Sequence, residues 1–296
     1  MQPPIAVIIP TFNNRARLRT ALDHWRRVQY EPFTVIVVND GCSDGTGEML
    51  RTEYPEVVQL SGDGNLWFAG SCNLGLRYAL DHGFAFATVF NDDNYPPPEI
   101  LTRQVECAGR HPGAMLGVKS YKLGSNKVIW GVGGFITRRI IGKGITWVGK
   151  NEEDTKGLFE KEFEVDFLDG SGQFYPADLI RGNGFWDERY QTYYADLEYA
   201  YRAKRKGYTL ISNPAAVVWH DYTESPVVMR NIGRYRFKLL YLLFNRKSTY
   251  CVYNMFRFWF TYFPFSAPLT ILRVYAVMVR KIYLDPAQAG KRTDRQ

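Results

Sequence analysis

Phe90-Asn91-Asp92-Asp93-Asn94-Tyr95-Pro96 closes a strand-like apolar run, Phe84–Phe90, and opens onto three prolines, Pro96–Pro98. Turn formers and prolines end the strand and stop a helix from starting at once. Two adjacent carboxylates therefore stand just past the carboxyl end of a buried strand, where open α/β sheets bind ligands. Carboxylates held there can bind a divalent cation, and the cation a diphosphate. Taken alone, an Asp-Asp pair in a loop is more often a solvated turn or cap. The neighbouring stretches decide between the two.

Upstream, Ile5–Ile9 is an apolar run ending at Pro10 and reads as a buried strand. Thr11-Phe12-Asn13-Asn14 is its loop, and Arg15–Arg27 is a helix with Leu18, Leu22 and Trp25 on one face. Phe33–Val38 is a second strand, running into the turn cluster Asn39-Asp40-Gly41-Cys42-Ser43-Asp44-Gly45-Thr46. A helix over Gly45–Arg51 and a strand over Val57–Leu60 follow. This alternation predicts an α/β fold with a mostly parallel sheet flanked by helices. Next, Gly64-Asn65-Leu66-Trp67-Phe68-Ala69-Gly70-Ser71-Cys72-Asn73-Leu74-Gly75 leads into a helix, Leu74–Asp81. Its small residues suit the approach of an anion or sugar, or equally the close packing of helix on strand.

Downstream, a helix over Glu99–Arg110 leads to a strand, Ala114–Val118. From Lys119 to Trp147 glycines recur among short apolar runs, Val128–Trp130, Phe135–Thr137 and Ile145–Val148. These predict a small antiparallel β excursion, placed to line a second substrate. Asn151–Glu164 is polar and acidic and reads as a mobile loop. Val165–Leu168 is strand-like and precedes Asp169-Gly170-Ser171-Gly172, followed by a helical segment near Ala177–Arg181. Tyr193–Arg205 reads as a helix with Asp196 in its first turn, where a carboxylate favourably meets the helix dipole. Tyr208–Ile211 and Ala215–Trp219 read as strands, with His220 ending the second. A lone histidine there is ordinarily a structural hydrogen-bonding group.

The chain has 296 residues, enough for one large domain or a domain with an appendage. Its four cysteines are scattered, which argues against a zinc site or a disulfide framework and fits reduced thiols in a cytosol. No signal peptide is expected, because the N-terminus enters an apolar strand without a basic start. Of the net charge of +7, the part from Val227 onward carries +11 (13 Lys and Arg against 2 acids), and the remainder −4 (24 against 28). The expected division is a catalytic region over 1–226 and a basic, aromatic helical appendage over 227–296. Met229–Phe244 looks amphipathic, with Arg230, Arg234, Arg236 and Lys238 among Ile232, Phe237, Leu239, Leu240 and Leu243. Phe258–Leu272 is uncharged but interrupted by Pro264 and Pro268, too short and broken to span a bilayer. The appendage is expected either to lie on an anionic membrane surface at the cytoplasmic face or to cap the sheet or a dimer interface. Gln288–Gln296 reads as a disordered tail.

Read together, these stretches resemble the family-2 glycosyltransferases of the GT-A fold, particularly the rhamnosyl- and galactofuranosyl-transferase-like branch. The strand into Pro10-Thr11-Phe12-Asn13, then Asn39–Thr46, Asn65–Gly75 and Asn91-Asp92-Asp93 match in order. Phe185-Trp186-Asp187-Glu188, Tyr194-Ala195-Asp196-Leu197-Glu198 with Arg202, and His220 follow. The resemblance implies a Rossmann-like GT-A catalytic domain and a role for each residue. Asp40 would accept a hydrogen bond from a pyrimidine imide and Asp92 would face the ribose, with Pro10, Thr11, Asn13, Asn65 and Asn91 also binding nucleotide. Asp93 and His220 would hold Mn2+ or Mg2+ against the diphosphate. Asp196 would be the catalytic base, and Trp67, Trp186, Asp187, Ala195 and Arg202 would meet sugar or acceptor. The family often has Asp where this chain has Asn91, and Glu where it has Ala195.

The chemistry of glycosyl transfer asks for these residue types. A departing nucleoside diphosphate gains charge that a divalent ion offsets, and an acceptor hydroxyl needs a positioned carboxylate to take its proton. One base and no evident nucleophile imply direct displacement with inversion. The expected reaction moves a sugar from a UDP- or dTDP-sugar to a glycan or lipid-linked hydroxyl in cell-envelope or surface-polysaccharide synthesis, with no nucleic-acid partner. The competing readings are a sugar-phosphate nucleotidyltransferase and a catalytically silent glycan- or membrane-binding module. The first would want a Gly-rich, basic loop where Pro10–Asn14 stands. The second would be expected to have lost Asp93, Asp196 or His220.

Overall fold

The structure is a computed structural model that describes residues 2–155, 159–222, 238–246 and 248–280. The amphipathic pattern of 229–237, residues 156–158 of the acidic loop and the tail 288–296 lie outside the described residues. From the N-terminus the elements are β1 (Ile5–Thr11), α1 (Arg15–Trp25), β2 (Phe33–Asp40), α2 (Thr46–Glu53), β3 (Val58–Gly62), α3 (Trp67–Asp81) and β4 (Phe86–Val89). Then come β5 (Asn94–Tyr95), α4 (Ile100–Arg110), β6 (Met115–Lys122), β7 (Ile129–Gly131), β8 (Gly134–Arg138), β9 (Lys143–Trp147) and β10 (Phe163–Glu164). The last are β11 (Gln173–Pro176), α5 (Ala177–Asn183), α6 (Ala195–Arg205), β12 (Leu210–His220), α7 (Lys238–Phe244), α8 (Val252–Tyr262) and α9 (Ala267–Val279).

The described residues form two compact units. One comprises 2–135, 147–155, 159–191 and 195–222, the other 136–146, 192–194, 238–246 and 248–280. In the first, one sheet runs β10-β12-β6-β11-β4-β1-β2-β3, with β5 added to β12 and β7 to β6. The β1/β2, β2/β3, β1/β4 and β6/β12 pairs are parallel and carry most of the ladder. β1 lies inside the sheet with all seven residues buried, which is why its sequence is an unbroken apolar run rather than an alternating one. α1 turns Leu18, Ala21, Leu22 and Trp25 inward. The Trp25 ring meets Phe90 edge-on at 5.0 Å, fixing the residue that leads into the Asp92-Asp93 loop.

α3 packs on β1 so closely that a methyl at Gly75 would collide with the Ile8 side chain. Of the two uses open to the small residues of this stretch, Gly75 serves packing. Gly75→Ala is expected to lower the unfolding free energy by about 1–3 kcal/mol, as overpacked cores do. Gly109→Ala, in α4 with open space around it, is expected to raise it by up to about 1 kcal/mol. Urea denaturation of both variants checks the pair.

Several elements differ from the sequence reading. α3 begins at Trp67, seven residues before the expected start. β11 was not expected, yet it lies antiparallel between β4 and β6. It is short and set between a Gly-rich turn and Pro176, which caps α5, so local pattern does not announce it. The two strands expected around Asn213-Pro214 are one, β12, with an irregularity between Asn213 and Val217. Proline donates no ladder hydrogen bond, and the strand passes it on a bulge instead of ending. Val165–Leu168 forms no strand. Only Phe167 bridges to Gly134, and β10 just before it pairs with β12.

The second unit holds the hairpin of β8 and β9 together with α7, α8 and α9. The sequence reading assigned 136–146 to the catalytic region. α8 buries Met255, Phe258 and Trp259, and α9 buries Ala267, Thr270, Ile271 and Met278. Pro268 sits in the first turn of α9, where a missing N–H costs nothing, so it starts a helix rather than breaking one. Among the described residues no helix is long and apolar enough to cross a membrane.

Candidate active site

β1 and β2 run in register, Thr11 beside Asn39, and β4 flanks β1 on its other side. Their carboxyl ends bring three loops together. The Thr11 hydroxyl donates to Asp92 Oδ2 at 2.7 Å and the Asn14 amide to Oδ1 at 2.8 Å. Burial, with Asp93 adjacent, pushes the Asp92 carboxyl up to about 7 against the pull of those two donors. Pro10 is the penultimate residue of β1, and Asn13, with φ of 51°, accepts the Ser43 N–H at 2.8 Å, tying the first loop to the second.

Asp40 is 3% exposed and fastens the loop before α3. Its Oδ1 accepts the N–H groups of Gly64 at 2.9 Å and Leu66 at 3.3 Å, and its Oδ2 accepts that of Trp67 at 3.0 Å. Trp67 stands at φ of 56°, a conformation that a bulky residue adopts only when held. Asn65 is exposed at the tip of this loop.

Asp93 and His220 meet, with Oδ1 and Nδ1 3.2 Å apart. The cause is β5: Asn94 and Tyr95 pair antiparallel with His220 and Trp219 at the end of β12, so two residues of ladder bind the Asp-Asp loop to a strand 126 positions later. Asn94 Nδ2 lies 2.8 Å from His220 Nδ1, and the Asp221 N–H donates to the Asp93 carbonyl at 2.9 Å. His220 is 4% exposed, and its Nε2 is buried without a hydrogen-bond partner. The nitrogen that faces Asp93 is Nδ1, which Asn94 also meets, while the unpartnered Nε2 is on the other side of the ring. A hard carboxylate and an imidazole at this distance are ligand types that a divalent ion accepts. Asn91 bonds back to Asn94 Oδ1 through its N–H, and its amide lies 3.5 Å from Ser171 Oγ.

Asp196 opens α6. Its Oδ1 accepts the Leu197 N–H at 2.8 Å and its Oδ2 the Gly170 N–H at 2.9 Å. Burial raises its carboxyl, opposed by these two N–H groups and by Lys150. The Gly170 bond places Asp169 beside it. Asp169 Oδ1 takes the Ser171 N–H at 3.0 Å, while Oδ2 is buried and unpartnered. Burial, with Asp196 adding to it, lifts Asp169 to about 6, against the pull of Lys150 and His220. The Lys150 ammonium lies 4.2 Å from the Trp147 ring centre and 4.7 Å from that of Trp130, and Trp130 stacks on His220 at 4.7 Å. The structure thus links Asp92, Asp93, His220, Asp169 and Asp196 into one cluster beside the Lys150 ammonium.

Asp169, Lys150, Trp130 and Trp147 were not singled out from the sequence. The available signals were a carboxylate in a Gly-rich turn and two tryptophans in the β excursion, and neither names a partner. Four more of the residues that the resemblance names are engaged within the protein. Trp186 is 3% exposed, stacked on Tyr199 at 5.1 Å and in a T-shaped contact with Phe68 at 5.5 Å. Arg202 is spent on Glu198 and on the carbonyls of Asn183 and Phe185. Asp187 holds Arg189 through both oxygens. Ala195 is fully buried.

Among the described residues, the one group of three metal-type donors lies elsewhere, at Cys107, His111 and Glu162. Glu162 there already takes Arg110 at 2.5 Å and His111 at 2.7 Å, and Arg110 holds its carboxyl down at about 2.

The model of the Glycosyl transferase family 2 domain matches residues 6–166. A probable glycosyltransferase of Bacillus subtilis, YdaM, is 25% identical over 303 residues, covering 96% of this chain and 67% of that protein. An uncharacterized glycosyltransferase of Rickettsia typhi, RT0329, is 33% identical over 100 residues, covering 33% of this chain and 30% of its own. Other Rickettsia matches span as little as 14% of the relative's length. In fold, the chain is similar to the mannosyltransferase PcManGT of Pyrobaculum calidifontis, solved with GDP-Man and Mn2+. The TM-score is 0.56, with 14% identity, covering 98% of this chain and 84% of that one. It is also similar to GalNAc-T7 with UDP, GalNAc and Mn2+, at TM-score 0.59 and 12% identity, covering 74% and 43%. S. aureus TarS gives 0.54 and 17%, covering 88% and 44%.

Proposed function

The chain belongs to glycosyl transferase family 2 and has the GT-A fold, and on that premise we propose that it transfers a sugar with inversion, using Asp196 as base and a divalent ion at Asp93 and His220. The donor is a UDP- or dTDP-sugar and the acceptor a hydroxyl of a glycan or lipid-linked glycan, in cell-envelope synthesis at the cytoplasmic face. The observation that carries this reading is the meeting of Asp93 and His220 at 3.2 Å, on the same cluster of loops as Asp196. Held there, Mn2+ or Mg2+ would offset the charge gained by the departing diphosphate.

The residues of this chain do the rest. Asp40 orders the loop of Asn65 and Trp67 and keeps lone pairs for a pyrimidine imide, since three N–H groups do not exhaust a carboxylate. Asp92, held by Thr11 and Asn14, is the group for the ribose. Asp196 takes the proton of the attacking hydroxyl, and its raised carboxyl makes it a better acceptor than a solvated aspartate. Support for inversion is that Asp169, the carboxylate beside Asp196, has one oxygen bonded to Ser171 and the other buried in the protein, a poor placement for a nucleophile.

Lys150 favours the charged form of Asp196. Lys150→Met is therefore expected to move the acid limb of kcat/KM to higher pH. A profile between pH 4 and 9 checks the direction; a limb that stays put removes Lys150 from this role. The reading as a whole is tested by turnover of UDP-, dTDP- and GDP-sugars with and without Mn2+. No turnover of any of them under either condition would sink it.

A further inference from the structure

We propose that the second compact unit docks on an anionic membrane surface, with the turn between β8 and β9 and the corner between α8 and α9 entering the lipid interface side by side. This rests on the reading above only for its purpose, a membrane-held acceptor; the surface is argued from residues that take no part in the active site.

The β8–β9 turn is Arg139-Ile140-Ile141-Gly142, closed by the Arg139 N–H donating to the Gly142 carbonyl at 3.0 Å. Its central positions ordinarily take Asn, Asp or Gly. Here they are two β-branched apolar residues, with Ile140 fully exposed and Ile141 46% exposed. The corner between α8 and α9 carries Phe265, 99% exposed. The two tips are built as one surface. Gly142, at φ of +71°, lies so close to Thr270 of α9 that a Cβ would sit 2.8 Å from the Thr270 nitrogen. The Lys143 N–H donates to Thr270 Oγ1 at 2.8 Å, and Arg273 donates back to the Lys143 carbonyl at 2.7 Å.

The helices extend that surface. α8 exposes Tyr253, Phe256 and Phe260, and α9 exposes Leu269, Leu272 and Ala276, each set at helical spacing on one face. From 252 to 279 no exposed residue is charged. An apolar face of this kind marks an interaction site. Charge selects the occupant. The described residues of this unit include Arg138, Arg139, Lys143, Arg257, Arg273 and Arg280 and no Asp or Glu. Two copies of so one-sided a surface would repel each other. An anionic bilayer meets both features, taking apolar prongs and aromatic faces into its interface and cations against its headgroups. Since no described helix is long enough to span, the mode is interfacial.

The test is co-sedimentation of the full chain with vesicles of phosphatidylcholine alone and of phosphatidylcholine with phosphatidylglycerol. Binding is expected to the anionic vesicles at least about tenfold above the neutral ones and to weaken with salt. The double substitution Ile140→Glu with Phe265→Glu, at exposed positions, is expected to cut it by at least about tenfold with the melting temperature unchanged. Equal binding by both proteins, or no preference for anionic lipid, overturns the proposal. So does self-association that the same substitutions abolish without any vesicle binding, which would assign the face to a second copy. Sugar-nucleotide turnover without lipid is measured on both proteins. It is expected to be equal, and its absence in both would count against the proposed reaction and leave the vesicle result standing.

Discussion

Asp196→Asn is expected to cut turnover by at least about 10²-fold while donor affinity stays within about threefold. The asymmetry follows from where the carboxylate sits. Its two oxygens are held by the Gly170 and Leu197 N–H groups, so it is aimed by backbone and not by a substrate that must first bind. Asparagine keeps the shape and one acceptor oxygen but cannot take a proton from an alcohol. It also turns an amide N–H₂ toward one of those two donors, so thermal unfolding is measured beside the kinetics to separate lost chemistry from lost fold. The pH profile supplies a readout that a structural role would not give. Burial raises the Asp196 carboxyl, so the wild-type rate falls as pH drops through that raised pKa and the group protonates. In Asp196→Asn the residual rate should lose that limb. An unchanged kcat, or a limb that survives the substitution, would remove Asp196 from the role of base.

Much of the fold is legible in the sequence because its signals are local. The buried run of β1, the one-sided apolar face of α1 and the turn cluster after β2 each specify an element without reference to the rest of the chain. β11 was not legible for the converse reason. Its place between β4 and β6 is decided by two strands that precede it by more than fifty residues, and its own four residues carry no alternation. The reach of β12 was misread because Pro214 is a local stop signal that a tertiary bulge overrides. The hairpin at 136–146 was legible as strands, but nothing in its sequence tells which compact unit it joins.

The site divides along the same line. The Asp92-Asp93 pair can be found from the strand that ends before it, and Asp196 from its helix. The meeting of Asp93 with His220 was expected only from the family resemblance, because its physical cause is a two-residue strand, β5, that no periodicity can reveal. Trp186 and Arg202 show what a motif does not fix. A motif fixes a residue's position along the chain but not the direction of its side chain, and both point into the protein, onto Tyr199 and Glu198. Lys150 and Asp169 were passed over because each matters only through the other and through Asp196, across gaps of 19 to 46 residues.

Asp93→Ala is expected to abolish the gain in nucleotide affinity that Mn2+ confers, a loss of at least about 10²-fold in apparent metal affinity, with metal-free nucleotide binding retained. Calorimetric titration of UDP and dTDP with and without Mn2+ reads this without relying on turnover. The argument is that Asp93 is held by none of the donors that occupy its neighbour. Asp92 is claimed on both oxygens by Thr11 and Asn14, whereas Asp93 faces His220 at 3.2 Å and the Asn94 amide at 3.4 Å. His220→Ala should weaken the same gain by removing the second donor. It should also cost some stability, because Asn94 loses its partner on the ring. Glu162→Gln is the control, since Cys107, His111 and Glu162 form the other place among the described residues where an ion could sit. Mn2+-dependent binding that survives Asp93→Ala and disappears in Glu162→Gln would move the metal to that cluster. The diphosphate would then have to find its counter-charge at Lys150 and the backbone. Retention in Glu162→Gln with loss in Asp93→Ala fixes the ion where β5 ties the Asp-Asp loop to the end of β12.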